Sequence, residues 1–304
     1  MTDLSYARRP AKHIQRRMVV DALRRLRAFS PLSGYEYVGF GGMEFVDFEL
    51  VHRELAVSKM ASIELDSNGA DRYRFNVPFA GVEVKFDRAS AVLPDLLDES
   101  RLRIVWLDYE CRLNLEVLQD VGTAMRKLSP GSVLLVSTNA QGPRRAADRI
   151  SQFETDVEPE RIPSSTTNSS LAKWGWADAS HQVLVAEASA EIARRTDGST
   201  FEQLFHFRYA DGARMLTWGG LVLGPGMEPA FHGASFDDLN HVRRAGASPL
   251  EIEPPVLTLK EAVHLNAQLP ASDPSALSAE GISDSDLASY ADLYRWYPPV
   301  PAPM

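Results

Sequence analysis

The chain has 304 residues, 44% hydrophobic and 24% charged, a globular composition with length for one large domain plus an extension. Its net charge of −9 gives no global basic field to recruit nucleic acid or anionic membrane, and its single cysteine, Cys111, excludes an internal disulfide and a thiolate-rich zinc site. No apolar run reaches the roughly 18–20 residues that span a bilayer, and Met1 leads into no signal-peptide core, so a soluble cytoplasmic protein is expected.

Residues 11–29 read as a helix, with Ile14, Met18, Val19, Ala22, Leu23 and Leu26 recurring at helical spacing. Eight basic residues crowd into residues 1–27: Arg8, Arg9, Lys12, Arg16, Arg17, Arg24, Arg25 and Arg27. Such a face can contact phosphates, and it can equally be a solvated face or a subunit contact. Arg8, Arg9 and Lys12 could instead close over a bound carboxylate. After Ser30-Pro-Leu-Ser-Gly34, a strand over 35–38 stops at Gly39-Phe40-Gly41-Gly42, and a helix over 43–55 follows. A second strand over 60–64 ends in Glu64, followed by Leu65 and Asp66.

Strand, glycine turn, helix, strand and acid is how an α/β domain holds a nucleoside-bearing cofactor: glycines let the ligand lie against the backbone, and the acid takes ribose hydroxyls. The alternative for Glu64 is a solvated carboxylate at a strand end. Residues 71–75 read as a helical turn, 82–86 as strand three and 91–97 as a short helix. Arg103–Leu107 is strand four and 115–128 a helix closed by Ser-Pro-Gly131. Residues 132–136 are strand five. Five β-runs linked by helices predict right-handed crossovers and a mostly parallel sheet covered on both faces. Sites in such sheets lie beyond the carboxyl ends of the strands, which singles out residues 39–42, 64, 87–90, 108–109 and 138–139.

Residues 155–173 read as a long polar loop before Trp174-Gly-Trp176 and a helix over 179–195. Residues 204–209 and 214–223, joined through Asp211-Gly212, predict a hairpin at the end of the sheet. Residues 226–304 read as an extension. Thr258 and Glu261 form a capping box for a helix over 259–268, a second helix covers 287–296, and a proline-rich tail closes the chain.

This order resembles the class I S-adenosylmethionine-dependent methyltransferases, most closely the catechol and caffeoyl-CoA O-methyltransferase branch, over roughly residues 35–225. Three segments carry the resemblance. They are Ser62-Ile-Glu-Leu-Asp-Ser67, Asp87-Arg-Ala-Ser90, and Ile104-Val-Trp-Leu-Asp-Tyr109 with the run from Leu128 to Asn139. The resemblance implies a Rossmann-like, seven-stranded sheet with an antiparallel terminal hairpin. It implies S-adenosylmethionine held by Gly39, Phe40, Gly41, Gly42, Glu64, Leu65, Ala89, Ser90 and Asp108. The domains expected are 1–225, with a basic N-terminal helix over 1–34, and a packed extension over 226–304.

Departures from that pattern bear on chemistry. The family's leading acid and third glycine are Tyr37 and Met43 here, so the contact to the methionine ammonium group is unassigned. Where the metal-dependent branch has an Asp after strand four and Asp-Asn after strand five, this chain has Asp108, Thr138 and Asn139. A hydroxyl supplies no charge to Mg²⁺, so no metal is expected. The branch's catalytic lysine is Cys111, whose alternatives are a nucleophilic thiolate or a buried structural thiol.

Methyl transfer needs donor and acceptor aligned, and an oxygen or nitrogen acceptor can need a base. The catalytic candidates are Asp108 and Tyr109; for Asp108 the competing role is a helix cap, for Tyr109 a core aromatic. Ser90 could bond the adenine or cap its helix. Asn139, Trp174 and Trp176 are the substrate candidates, against roles as a turn residue and as core anchors. Seven scattered histidines show no ligand spacing. The expected activity is methyl transfer to an unidentified acceptor, oxygen before nitrogen. The alternatives are a nucleic-acid or nucleotide methyltransferase and a non-catalytic protein of the same fold acting in an assembly. A homodimer and a small-molecule or nucleotide-like acceptor are the expected partners.

Overall fold

The structure, a computed structural model, describes residues 9–97, 100–271, 273 and 276–298. Arg8 and the tail beyond Pro298 lie outside the described residues. Contacts divide the chain into two compact units, one of residues 20–208 and 213–250, the other of residues 1–19, 209–212 and 251–304.

The sheet belongs to the first unit except for residues 209–211 and 251–252, which fall in the second. Its strands are β1 (Glu36–Gly39), β2 (Lys59–Glu64), β3 (Val82–Phe86), β4 (Arg103–Arg112), β5 (Val133–Asn139), β6 (Thr200–Asp211) and β7 (Ala213–Leu223), with a short β8 (Leu250–Ile252). The strand order is β3-β2-β1-β4-β5-β7-β6-β8. β1 pairs in parallel with both β2 and β4, as β2 does with β3 and β4 with β5, while β5 and β7 run antiparallel. The α/β architecture is thus as expected, with eight strands in place of seven because residues 250–252, read as extension, join the sheet.

The chain winds outward from β1 to β3, then returns to the other side of β1 as β4. That reversal opens a crevice at the carboxyl ends of β1 and β4, where ligands bind in open α/β sheets. β4 and β5 form the centre of the sheet. Ile104, Val105, Leu107, Leu134, Leu135 and Val136 are fully buried, as continuous apolar runs covered on both faces should be. Against them packs α5 (Leu115–Lys127). Asn114 caps it by accepting from Val117 N–H at 3.1 Å, and Val117, Leu118, Val121, Ala124 and Met125 form its buried stripe.

Among the boundaries that differ from the sequence reading, three have a local reason. β4 continues beyond Leu107 to Arg112, because residues 108–112 contain no breaker and Arg112 still pairs with Asn139 across a bulge. β5 likewise extends to Asn139 by pairing with β7. The first helix after the glycine turn, α2 (Val46–Leu55), starts at Val46, since Gly42 (φ +56) and Phe45 (φ 50) both take left-handed backbone. A helix that the sequence reading did not assign, α6 (Arg149–Val157), with Phe153 and Val157 buried, runs into the start of the segment 155–173 read as loop, before α7 (Gly175–Ala193). The hairpin through Gly212 (φ +109) forms as expected. Three shorter helices complete the unit: α3 (Ala70–Asn76), α4 (Ala89–Leu96) and α8 (Glu228–Gly233).

The first helix, α1 (Pro10–Leu23), gives way to a 3₁₀ turn over Arg24–Ala28. Its basic residues are not a solvated face. Arg16 is 3% exposed, Arg24 pairs with Asp21 at 3.3 Å and with Glu54, and Arg25 donates to Ala234 O. Arg16 is thus not an exposed cation, whereas Arg27 is.

Within the second unit, Asp211 accepts from Ala11 N–H at 3.1 Å and Lys12 N–H at 2.7 Å, a carboxylate at the positive end of a helix. Helices α9 (Leu259–Asn266) and α10 (Asp284–Leu293) enclose a small core of Ala262, Leu265, Leu277, Leu287 and Tyr290. Thr258 and Glu261 make the expected capping box. A cavity of about 200 Å³ lies among Leu259, Val263, Asn266, Tyr290, Tyr294 and Tyr297.

Candidate active site at the carboxyl edge of the sheet

Register builds the site. Gly39 pairs with Ser62, and side chains two apart on a strand share a face, so Ser62 and Glu64 both face the glycine turn that follows β1. Glu64 Oε1 accepts from Gly41 N–H at 2.8 Å, Gly42 N–H at 3.1 Å and Ser62 Oγ–H at 2.6 Å. Ser62 Oγ also accepts from Gly41 N–H at 2.9 Å. Glu64 is only 6% exposed. Burial pushes its pKa upward, while the bonds from Ser62, Gly41, Gly42 and the Tyr73 hydroxyl pull the other way.

The turn is tight around its own side chains. A Cβ on Gly41 would lie 2.5 Å from the Phe45 ring and 2.8 Å from Ser62 Oγ. One on Gly42 would meet open space, so Gly42 is required for its left-handed backbone and leaves room beside the turn. Leu65, the residue after the acid, is 71% exposed.

Phe40 and Tyr109 pack edge-to-face with ring centroids 5.0 Å apart, which ties the glycine turn to the end of β4. Tyr109 donates to Asp120 Oδ2 at 2.6 Å. Burial first, then the neighbouring charge, pushes the Tyr109 pKa far up, and burial lifts Asp120 to about 6. The Tyr109 hydroxyl is thus engaged with Asp120. Asp108 is half-buried in β4 opposite Ser137. The helix-cap role weighed for it falls to Asn114 instead. Cys111 is exposed, not buried, and desolvation pushes its pKa up despite a bond from Asn114 Nδ2 at 3.6 Å, so it is neither the structural thiol expected nor an activated one.

At the end of β3, α4 begins at Ala89, which is buried. Ser90 is inside its first turn, so it is not the cap proposed for a start at Ala91. At the end of β5, Asn139 Oδ1 accepts from Gln141 N–H at 2.8 Å, a turn-stabilising contact. Thr138 is fully buried, paired with Leu216. These two donors do not suit Mg²⁺: one oxygen is engaged, the other is an uncharged hydroxyl inside a strand pair. Among the described residues no three His, Cys, Asp or Glu side chains group as a metal site.

Trp176 has no face for substrate. It is fully buried, edge-to-face with Phe153 and with the Arg112 guanidinium 5.6 Å from its ring, and a Cβ on Gly142 would lie 2.4 Å from it. Trp174, half-buried at the start of α7, has the guanidiniums of Arg208 and Arg214 at 5.8 and 5.6 Å from its ring. Arg208 pairs with Asp178 in the first turn of α7.

Sequence reasoning missed Ser62, Tyr73, Asp120, Arg208 and Arg214. The alternation Ser62-Ile-Glu64 was a usable signal for Ser62, since a strand puts both on one face. The others come from elements distant in sequence and had none.

A family model described as "Putative O-methyltransferase" matches residues 4–300. No curated protein matches the chain. Among solved structures, Trm1 from Pyrococcus horikoshii in complex with S-adenosyl-L-methionine is similar with a TM-score of 0.50 and 11% identity. The match covers 73% of this chain and 57% of that one, so the chain spans little more than half of that relative. The O-methyltransferase TomG from Streptomyces achromogenes is similar at 16% identity and a TM-score of 0.40, over 67% of this chain and 79% of that one. An O-methyltransferase family protein from Burkholderia thailandensis is similar at 15% identity and a TM-score of 0.38, over 68% and 56%. Among the described residues no helix is long and apolar enough to cross a membrane. With a match running almost from end to end, on a sheet whose order reverses at β1 and β4 and ends in an antiparallel hairpin, the chain belongs to this O-methyltransferase family.

Proposed function

We propose that the protein transfers a methyl group from S-adenosylmethionine to an oxygen of an acceptor molecule. The observation that carries this reading is Glu64: a buried carboxylate at the carboxyl end of β2, bonded to the amides of Gly41 and Gly42 and followed by exposed Leu65. Ribose hydroxyls are donors, and a desolvated carboxylate gains from donors. Hydroxyls added to those of Ser62 and Tyr73 would further favour its charged form. Leu65 offers the adenine an apolar face, and the open space beside Gly42 admits a ligand close to backbone. When bound, the sulfonium supplies an electrophilic methyl group whose bond pair returns to sulfur as the acceptor oxygen takes it.

The chain's own part is positioning and proton handling. Phe40 and Tyr109 wall the crevice and exclude water. Asp108, at the end of the buried run of β4, orients the acceptor or takes its proton, since the Tyr109 hydroxyl is committed to Asp120. The family description and the strand-four and strand-five motifs favour oxygen over nitrogen as the acceptor atom. The metal of the catechol-like branch is not part of this reading, because the donors at Thr138 and Asn139 do not suit it.

One observation favours a second reading, a protein of this fold that does not turn over. The amides of the turn are already satisfied by Glu64, and the Phe45 ring fills the space beside Gly41. Thermal unfolding with S-adenosylhomocysteine separates the two. The methyltransferase reading expects a rise in Tm at micromolar ligand and transfer of labelled methyl groups to hydroxylated acceptors. An unchanged Tm at millimolar ligand would favour the non-catalytic reading.

A further inference from the structure

The carboxyl end of β5 carries a cation arranged differently from the others around it. Arg214 is the second residue of β7, and its backbone is fixed to the segment that leaves β5: Ala140 N–H donates to Arg214 O at 2.7 Å, and Arg214 N–H reaches Gln141 Oε1 at 3.4 Å. Its guanidinium lies 5.6 Å from the centre of the Trp174 indole. A guanidinium beside an aromatic ring gains from the ring's electrons without spending its N–H donors, which form a fixed fork that matches a carboxylate or phosphate. Arg208 shares the same indole, but Asp178 occupies it. Among the described residues no ion pair joins Arg214 to an acid. In a chain of net charge −9, a half-buried, braced cation beside the ends of β4 and β5 is a receptor for an anion.

We propose that Arg214, braced on Trp174, binds an oxyanion, a carboxylate or a phosphate group, carried by the methyl acceptor. The assignment of that oxyanion to the acceptor rests on the methyltransferase reading above. It narrows the substrate class to hydroxylated molecules with an anionic group, and it makes Trp174 a brace for the cation rather than a stacking surface for the substrate.

The test titrates the full-length protein, with and without S-adenosylhomocysteine, with benzoate, phenyl phosphate and neutral benzamide. The proposal expects one of the anions to bind while benzamide does not. Preference for benzoate marks a carboxylate acceptor, and preference for phenyl phosphate a phosphorylated one. Arg214→Gln should weaken anion binding roughly ten- to hundredfold, as loss of a charged hydrogen-bonding partner does. Trp174→Phe, which keeps an aromatic face, should retain most of it. Affinity for S-adenosylhomocysteine should be the same in both variants, which also shows that they fold. Equal binding of all three probes, or anion binding unaffected by Arg214→Gln, overturns the proposal. Arg214-dependent anion binding without any affinity for S-adenosylhomocysteine would leave the oxyanion site standing and overturn the methyltransferase reading instead.

Discussion

The two ends of the sheet's carboxyl edge are built on opposite principles. At the β1–β2 end, the polar groups are engaged with one another: Glu64 holds the amides of Gly41 and Gly42, and Ser62 joins both. At the β5–β7 end, aromatic and cationic side chains meet: the Arg208 and Arg214 guanidiniums lie 5.8 and 5.6 Å from the Trp174 ring, and among the described residues no ion pair joins Arg214 to an acid. The first arrangement suits a neutral, hydroxyl-rich ligand, which adds donors to a carboxylate already shaped by its neighbours. The second suits a charged ligand that brings its own acceptor.

The sharpest way to break this comparison is to remove Glu64. Glu64→Ala removes the acceptor of the Gly42 amide and of the buried Ser62 hydroxyl, and leaves the Gly41 amide with Ser62 Oγ alone. Chemical denaturation should show a loss on the order of 1–3 kcal/mol, the cost of one buried group left unsatisfied, together with loss of S-adenosylhomocysteine binding; a variant as stable as the parent would mean that the turn does not depend on this carboxylate.

A second prediction concerns pH. The Asp120 pKa is raised from its ordinary value of 3.8 to about 6, so this group favours the folded state below pH 4, and that contribution is lost as pH rises through about 6. Asp120→Asn should therefore gain stability relative to the parent between pH 4 and pH 7, by on the order of 2–3 kcal/mol for a two-unit shift. Denaturation midpoints across that range test this, and a pH-independent difference would show that Asp120 is not desolvated as described.

Leu65→Asn should leave stability within about 0.5 kcal/mol, as an exposed substitution does. It should still weaken S-adenosylhomocysteine binding severalfold. Equal affinity in the variant would remove Leu65 from the adenine site. The smallest effect is expected from chelation. Once an acceptor is found, EDTA should change turnover by no more than about twofold, because Thr138 and Asn139 are poor Mg²⁺ ligands. A large drop would show that Asp108 recruits a metal through partners outside this set.

Much of the cofactor end was legible in the sequence because it is local. β1, the glycine turn, β2 and Glu64 lie within thirty residues, and strand periodicity alone puts Ser62 on the same face as Glu64. The eighth strand was not legible, because residues 250–252 form too short a run to carry a period of their own. Trp176 stayed open between a substrate face and a core anchor for a different reason. An aromatic after a polar loop reads the same whether it faces a ligand or the core, and only the positions of Phe153, Arg112 and Gly142 decide the matter. Likewise the N-terminal arginines look like one basic face by spacing, whereas burial of Arg16 in α1 and pairing of Arg24 in the turn after it are tertiary facts. Arg214 became visible only when the hairpin brought it beside Trp174.

The most direct test of the account is calorimetric titration of S-adenosylhomocysteine into the parent protein and Glu64→Gln, a variant that keeps an acceptor for the turn amides but removes the charge. The account predicts one ligand bound per chain and an affinity at least about tenfold weaker in the variant, in line with a charged hydrogen-bond acceptor. No heat of binding in the parent at millimolar ligand, or the same affinity in both proteins, would contradict it.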